Sequence, residues 1–272
     1  MGTEEQCKMA SILRISSLQK WLIISFATLL GFTLFVMPVI ASSIYSFQKP
    51  GGKGFSFISY TWLLHQDGFF ASMGISLKLA ALAGILNISL MVPTMVYLNF
   101  TGQRFKPLVD FICILPLVIP VVSLAIGAQN AMPSFLQNTQ YELVFFFVII
   151  GLPFTYRSLD TALQAISLKT LVEASRSLGA SWMRTIISVI VPAIRGGITG
   201  ALFLTIALSI GEYTITSLLH WETFPTWTVV ASQQNLLGAI ALSVFSFVGA
   251  IALLSIFALF PKKSARKVEV DQ

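Results

Sequence analysis

Charge is what this chain has least of. Asp, Glu, Lys and Arg together make up 10% of its 272 residues, where soluble domains carry about 25%. With 56% apolar residues, a soluble domain of this length has no interior large enough to hide them. Cysteine is nearly absent too. Cys7 lies in a basic leader and Cys113 in an apolar run, so no disulfide framework is available and both are expected free. The two histidines, His65 and His220, flank different segments, and no His/Cys cluster or glycine-rich GK[ST] loop occurs. A metal site and a self-contained nucleotide site are therefore not expected. The surplus of basic residues, net +6, reads as membrane topology rather than as a nucleic-acid footprint.

Long apolar runs are what is there. They cover residues 22–47, 69–98, 108–128, 143–156, 198–219 and 236–260. A span needs about 20 apolar residues, so six transmembrane helices are expected, in an all-α polytopic membrane protein. The runs lack the alternation of barrel strands. Val39-x-Ala41 resembles a signal-peptide cleavage box, but the first run is longer than such a segment and five more follow, so it is read as a retained anchor. Residues 1–21 then form a polar N-terminal segment, 22–260 the membrane domain and 261–272 a basic tail. With the leader inside, fourteen basic residues fall on inner segments and only Lys49 and Lys53 on outer ones. Lys78 alone sits within a span. By the positive-inside rule both termini and the loop at about 158–196 are cytoplasmic.

That loop carries TLVEASRSLGASWMRTIISVIVP, residues 170–192. Thr170 and Glu173 have the spacing of a capping box. Gly179 stands where a left-handed helix terminus would be. The spacing predicts a short helix between them, with Leu171, Ala174 and Leu178 on one face and Ser175 and Arg176 elsewhere. A second helix is predicted from Trp182 to Val191, stopped near Pro192.

This stretch resembles the EAA loop of the integral membrane permeases of binding-protein-dependent ABC importers. Glu173, Ala174 and Ser175 match the Glu-Ala-Ala start, with Ser175 for the second alanine. Gly179 follows at the family's offset, and Val191-Pro192 closes the motif; Gly196 stands near a position that is often proline. The resemblance covers about residues 22–260. It implies that the short helix is a coupling helix seated on an ATPase subunit, with Ala174 small because that surface comes close. It implies an ABC ATPase dimer that binds ATP and Mg, with no cofactor on this chain itself. It further implies a second permease subunit (a different chain rather than a copy), an extracytoplasmic solute-binding protein, and a bacterial or archaeal cytoplasmic membrane. Glu173 is read as a helix cap or as a contact to a basic group on the ATPase, Arg176 as an interface contact or a topology-setting charge.

Ionisable groups inside spans point to function. Lys78 lies about 13 Å into the second run at 1.5 Å per residue. Gly211-Glu212-Tyr213 resembles the polyamine, iron, thiamine and phosphonate branch of the family, so Glu212 and Tyr213 join Lys78 as candidates for the solute path or gate. Helix packing or an ion pair with Lys78 are the other readings of Glu212. Trp221, Trp227 and Tyr213 read as an outer aromatic belt. By analogy with the family, Asp67, Trp221 and Glu222 are candidate contacts for the binding protein. Two other classes compete with a non-catalytic transport subunit. A secondary transporter or channel would show paired charges in broken helices and inverted repeats, and no repeat is visible. A membrane enzyme would cluster His, Asp or Cys at one face, and no motif spacing ties His65, Asp67, His220 and Glu222 together.

Overall fold

In lipid the backbone has no water to bond, so an apolar run must satisfy its own N–H and C=O groups as a helix. The computed structural model describes residues 17–49, 51–52, 54–101 and 103–258. Among these there is no strand, only an isolated bridge between Gln48 and Phe55. The leader expected at 1–21 is described only from residue 17. Cys7, Pro50, Lys53 and the tail expected at 261–272 lie outside the described residues.

The chain divides into two units, Met1–Leu63 with Asn235–Phe245, and Leu64–Gln234 with Ser246–Gln272. In the first, helix α1 runs over Ser17–Gly31, widens into a π turn at Phe32–Val36 and continues over Met37–Ser46. Its last hydroxyl, Ser46 Oγ, lies 2.8 Å from Tyr60 Oη on α2 (Ile58–His65). Helix α12 (Leu236–Ala258), the last among the described residues, starts in this unit, where Asn235 Oδ1 accepts the Gly238 amide at 3.0 Å.

The second unit holds α3 (Phe69–Phe100), α4 (Lys106–Val118), α5 (Val121–Ala131), α6 (Glu142–Gln164), α7 (Leu168–Ser177) and α8. Helix α8 runs over Trp182–Thr185, a π turn at Ile186–Ile190, and Val191–Ala193. Then come α9 (Arg195–Ile210), α10 (Thr214–Leu218) and α11 (Phe224–Gln234). Helices α3, α6 and α9 pack on one another through small and polar residues, the usual means of close approach in a membrane. At Gly151 a Cβ would stand 2.7 Å from Asn87 Nδ2 and 2.9 Å from Thr205 Oγ1, so only glycine fits. Buried Asn87 donates to Thr205 Oγ1 (3.4 Å) and to the Val148 carbonyl (3.5 Å). The Thr155 and Thr205 hydroxyls lie 3.1 Å apart. Such interhelical bonds contribute on the order of 1 kcal/mol each.

Among the described residues four helices are long and apolar enough to cross a membrane: Gln19–Ser46, Phe69–Phe100, Glu142–Gln164 and Leu236–Phe257. Two bent pairs bring the number to as many as six: Gln103–Val118 with Val121–Ala131, at 113°, and Trp182–Ala193 with Arg195–Ile210, at 82°. The third expected span, 108–128, is therefore broken. Pro120 drives its predecessor out of the helical region, and Ile119 takes ψ 128°. The fifth expected span, 198–219, stops at Ile210, and its remainder becomes a turn and α10. The expected outer loop after His220 holds α11 instead.

Candidate functional site

The α7–α8 hairpin is built largely as the sequence suggests, with one correction. Helix α7 begins at Leu168, so Thr170 is its third residue and caps nothing. The cap position is Ser167, which makes no side-chain cap bond. Glu173 lies in the second turn, 3.9 Å from Lys169 and half exposed, so the capping box does not form. The stripe turned inward is a different one from Leu171, Ala174 and Leu178. Leu168, Val172 and Ser175 turn inward, at the i, i+4, i+7 spacing of one helix stripe. Ala174 is exposed and Leu178 is 90% exposed. Helix α8 ends at Ala193, one residue past Pro192 and close to the expected stop.

The turn itself is a Schellman motif. Gly179 has φ +82°. Its amide bonds the Arg176 carbonyl at 3.0 Å, and the Ala180 amide bonds the Ser175 carbonyl at 3.2 Å. Arg176 Nη1 donates to the Ala180 carbonyl at 3.1 Å. Ser181 accepts the Arg184 amide at 3.3 Å and so caps α8. The two helices are joined inside the hairpin by Ser175 Oγ and Thr185 Oγ1, 3.0 Å apart and buried. Ser175 is thus more than a small residue tolerated for alanine.

Beneath the hairpin, Leu168, Val172, Ile186, Ile190 and Ile194 share one core with Met95, Val96, Tyr156, Leu159 and Leu163. The hairpin is therefore packed into the ends of α3 and α6, while Leu178, Met183 and Ile187 remain exposed. Beside this core lies a polar cleft of about 470 Å³ lined by Asn99, Lys106, Asp110, Arg157, Asp160 and Gln164, among others. Lys106 Nζ donates to Asp160 Oδ1 at 2.6 Å and to Asn99 Oδ1 at 3.1 Å. Gln164 Nε2 donates to Asp160 Oδ2 at 2.6 Å. Arg157 Nη2 is 3.8 Å from Asp110 Oδ1, close enough for charge but not for a hydrogen bond. Sequence reasoning counted Lys106 and Arg157 as topology charges and passed over both aspartates. Their spacing, Arg157-x-x-Asp160 on a helix end, was the available signal.

At the opposite end of α3, α6 and α9, Lys78 Nζ donates to Tyr141 Oη at 2.9 Å. That hydrogen bond, followed by the ammonium charge, holds the Tyr141 hydroxyl below its ordinary pKa. Glu212 is not paired with Lys78; its Oε1 accepts the Ile215 amide at 2.9 Å and holds the start of α10. Tyr213 is exposed and stands at the cap position of α10. Next to Tyr141, the acidic side chain of Glu142 is buried, 2% exposed. Its Oε1 accepts Trp221 Nε1 at 2.6 Å, and Oε2 has no partner. It stands in the first turn of α6, at the helix end that favours an acidic side chain. Trp227 is buried and donates to the Asp67 carbonyl at 2.9 Å. Trp221 and Trp227 thus hold the loops together rather than forming an outer belt. The Asp67 and Glu222 side chains remain exposed.

A family model described as binding-protein-dependent transport system inner membrane component matches residues 68–261. The molybdenum transport system permease protein ModB of Azotobacter vinelandii is 29% identical, over 53% of this chain and 69% of that protein. The probable transport system permease protein NifC of Clostridium pasteurianum is 28% identical, over 74% and 72%. Among solved structures, a bacterial ABC transporter importing the acidic polysaccharide alginate gives a TM-score of 0.68 at 16% identity, covering 90% of this chain and 98% of that one. A bacterial alginate ABC transporter in complex with an alginate pentasaccharide-bound periplasmic protein gives 0.63 at 18%, covering 89% and 93%. At these identities the two structures speak to the fold.

Proposed function

The chain belongs to the family of binding-protein-dependent transport system inner membrane components and is a permease subunit of an ABC importer; on that premise we propose that its α7–α8 hairpin is the coupling element that receives the stroke of a partner ATPase. The observation that carries this reading is the division of the hairpin into two faces. One face is locked into the core of α3 and α6, and the other offers Ala174, Leu178 and Met183 to a partner. Glu173 and Arg176 flank that offered face, and Gly179 and the Ser175–Thr185 bond keep it rigid. A stiff hairpin transmits differential contacts between nucleotide states, which is all that coupling requires.

In this reading ATP and Mg are bound and ATP is hydrolysed on an ABC ATPase dimer. A second permease subunit, a different chain rather than a copy, completes the path. The fourteen-to-two split of basic residues supports a cytoplasmic hairpin and cytoplasmic termini in a bacterial or archaeal cytoplasmic membrane. A solute-binding protein then docks at the opposite end, where Asp67 and Glu222 are exposed. Trp221 is withdrawn from that role by its bond to Glu142.

The solute class is a small oxyanion in our reading. One relative is named for molybdenum, which dissolves as an oxyanion. Lys78 meets a phenol rather than a carboxylate, and in our reading it faces the path. Phosphonate fits this class; polyamine, thiamine and iron, which the sequence also suggested, lose ground. Uptake of molybdate against putrescine by membranes holding the whole transporter tests the class. For the coupling element, Leu178→Asp should leave the chain in the membrane but abolish copurification of the ATPase and ATP-driven uptake. Unchanged uptake with that variant overturns the reading.

A further inference from the structure

The hairpin shares an apolar core with α3 and α6, and the broken pair α4–α5 enters that core through one buried side chain, Cys113 on α4. One face of α4 is exposed, with Leu108, Phe111, Ile112, Leu115 and Val118 all outward. Its first residue, Lys106, carries the tightest polar contacts in the region. One ammonium bonds Asp160 on α6 at 2.6 Å and Asn99 on α3 at 3.1 Å, so a single group ties three helices together. Asp160 is 8% exposed, and its second oxygen is held by Gln164 at 2.6 Å. Asn99 is itself fixed by its bond to the Met95 carbonyl at 2.9 Å. Four residues beyond Asp160, α6 ends, and the chain enters the hairpin through Ala165 and Ile166.

We propose that Lys106 and Asp160 are positioning residues for transport, forming the tie through which movement of the hairpin is passed to the broken helix pair α4–α5. The physical grounds are geometric. An ion pair in a partly dry setting, with both ends braced by amides, tolerates little change in length, because its strength falls steeply once the hydrogen bonds are lost. Apolar packing alone lets helices slide. Arg157, at 3.8 Å from Asp110 and largely exposed, is too loose for the same duty. The bend at Ile119–Pro120 then turns a displacement at one end of α4 into a swing of α5 and the loop that follows it. This inference rests on the coupling role of the hairpin, so its test reads the two separately.

The test uses membranes holding the whole transporter, with this chain in a Cys7→Ser/Cys113→Ala background. Single reporter cysteines are placed at exposed Leu178 on the hairpin and exposed Ser134 beyond α5. Labelling by a water-soluble maleimide is compared without nucleotide and after trapping with ATP and vanadate. Trapping is expected to change the labelling rate at both reporters at least threefold. Asp160→Asn and Lys106→Gln should each keep the Leu178 response and reduce the Ser134 response to less than a third of its size. The exchange Lys106→Asp/Asp160→Lys should restore it, since the Asn99 and Gln164 amides can present either end to the exchanged charges. A full Ser134 response in both single variants overturns the tie. If a single variant fails to reach the membrane, the exchanged pair decides: a restored Ser134 response supports the tie, and an absent one overturns it. A Leu178 reporter indifferent to trapping in the unaltered chain overturns the coupling reading and the tie with it.

Discussion

Glu142 is the residue with most at stake at the end opposite the hairpin. A buried acidic side chain is stable only if paired, hydrogen-bonded or placed at a positive helix end, and Glu142 has the last two. Glu142→Ala leaves the Trp221 indole without its acceptor, at a cost of about 1–3 kcal/mol. Thermal unfolding in detergent should therefore shift down, while Glu142→Gln, which keeps an acceptor, retains most of the stability. A fall of equal size in both variants would show that the charge and not the hydrogen bond matters. Gly179 makes a different demand. At φ +82° a β-branched residue is strained by roughly 1–2 kcal/mol. No atom lies within 4 Å of the place its Cβ would occupy, so Gly179→Val tests the backbone and not the space. Faster hydrogen exchange at the Gly179 and Ala180 positions is the expected result, with the helices themselves unchanged.

At the scale of elements, the break between α4 and α5 follows from a single residue. Pro120 lacks an N–H and excludes Ile119 from helical geometry. Pro120→Ala removes both constraints and lets the pair join into one span. Spin labels at Val109 and Gln129 would report it. Two legs of about 15 Å each at the observed 113° bend put the labelled positions about 17 Å apart, whereas one straight helix puts them about 30 Å apart. An unchanged distance would mean that packing, and not proline, sets the bend. Proline at 116 and 120 was legible in the sequence, but proline is also tolerated within spans. Pro93 and Pro153 sit inside α3 and α6 without breaking them. Only the surroundings separate the two cases.

For the whole molecule, the distribution of basic residues and the placement of the two polar ends make a joint prediction. Leu178→Cys and Ser134→Cys belong to opposite ends of the spanning helices. An impermeant maleimide applied to intact cells should label Ser134→Cys and spare Leu178→Cys, and inverted vesicles should reverse the pattern. Labelling of Leu178→Cys from outside would remove the coupling reading along with the orientation.

The helical class, the membrane setting and the glycine turn of the hairpin were all written in the chain, because each depends on local rules: run length, hydrogen-bond closure in lipid, and the one residue that accepts a left-handed backbone. The hairpin's motif also led to the family before any coordinates. Which face of α7 turns inward was not local. Periodicity puts Leu171, Ala174 and Leu178 on one face without saying whether it is buried, and the core of α3 and α6 took Leu168, Val172 and Ser175. The partners of Lys106, Asp160, Glu142 and Trp221 lie 54 to 79 positions apart in sequence. Only the packing of the helices decides which distant charges meet, since an ion pair depends on a few ångströms of separation and not on spacing along the chain.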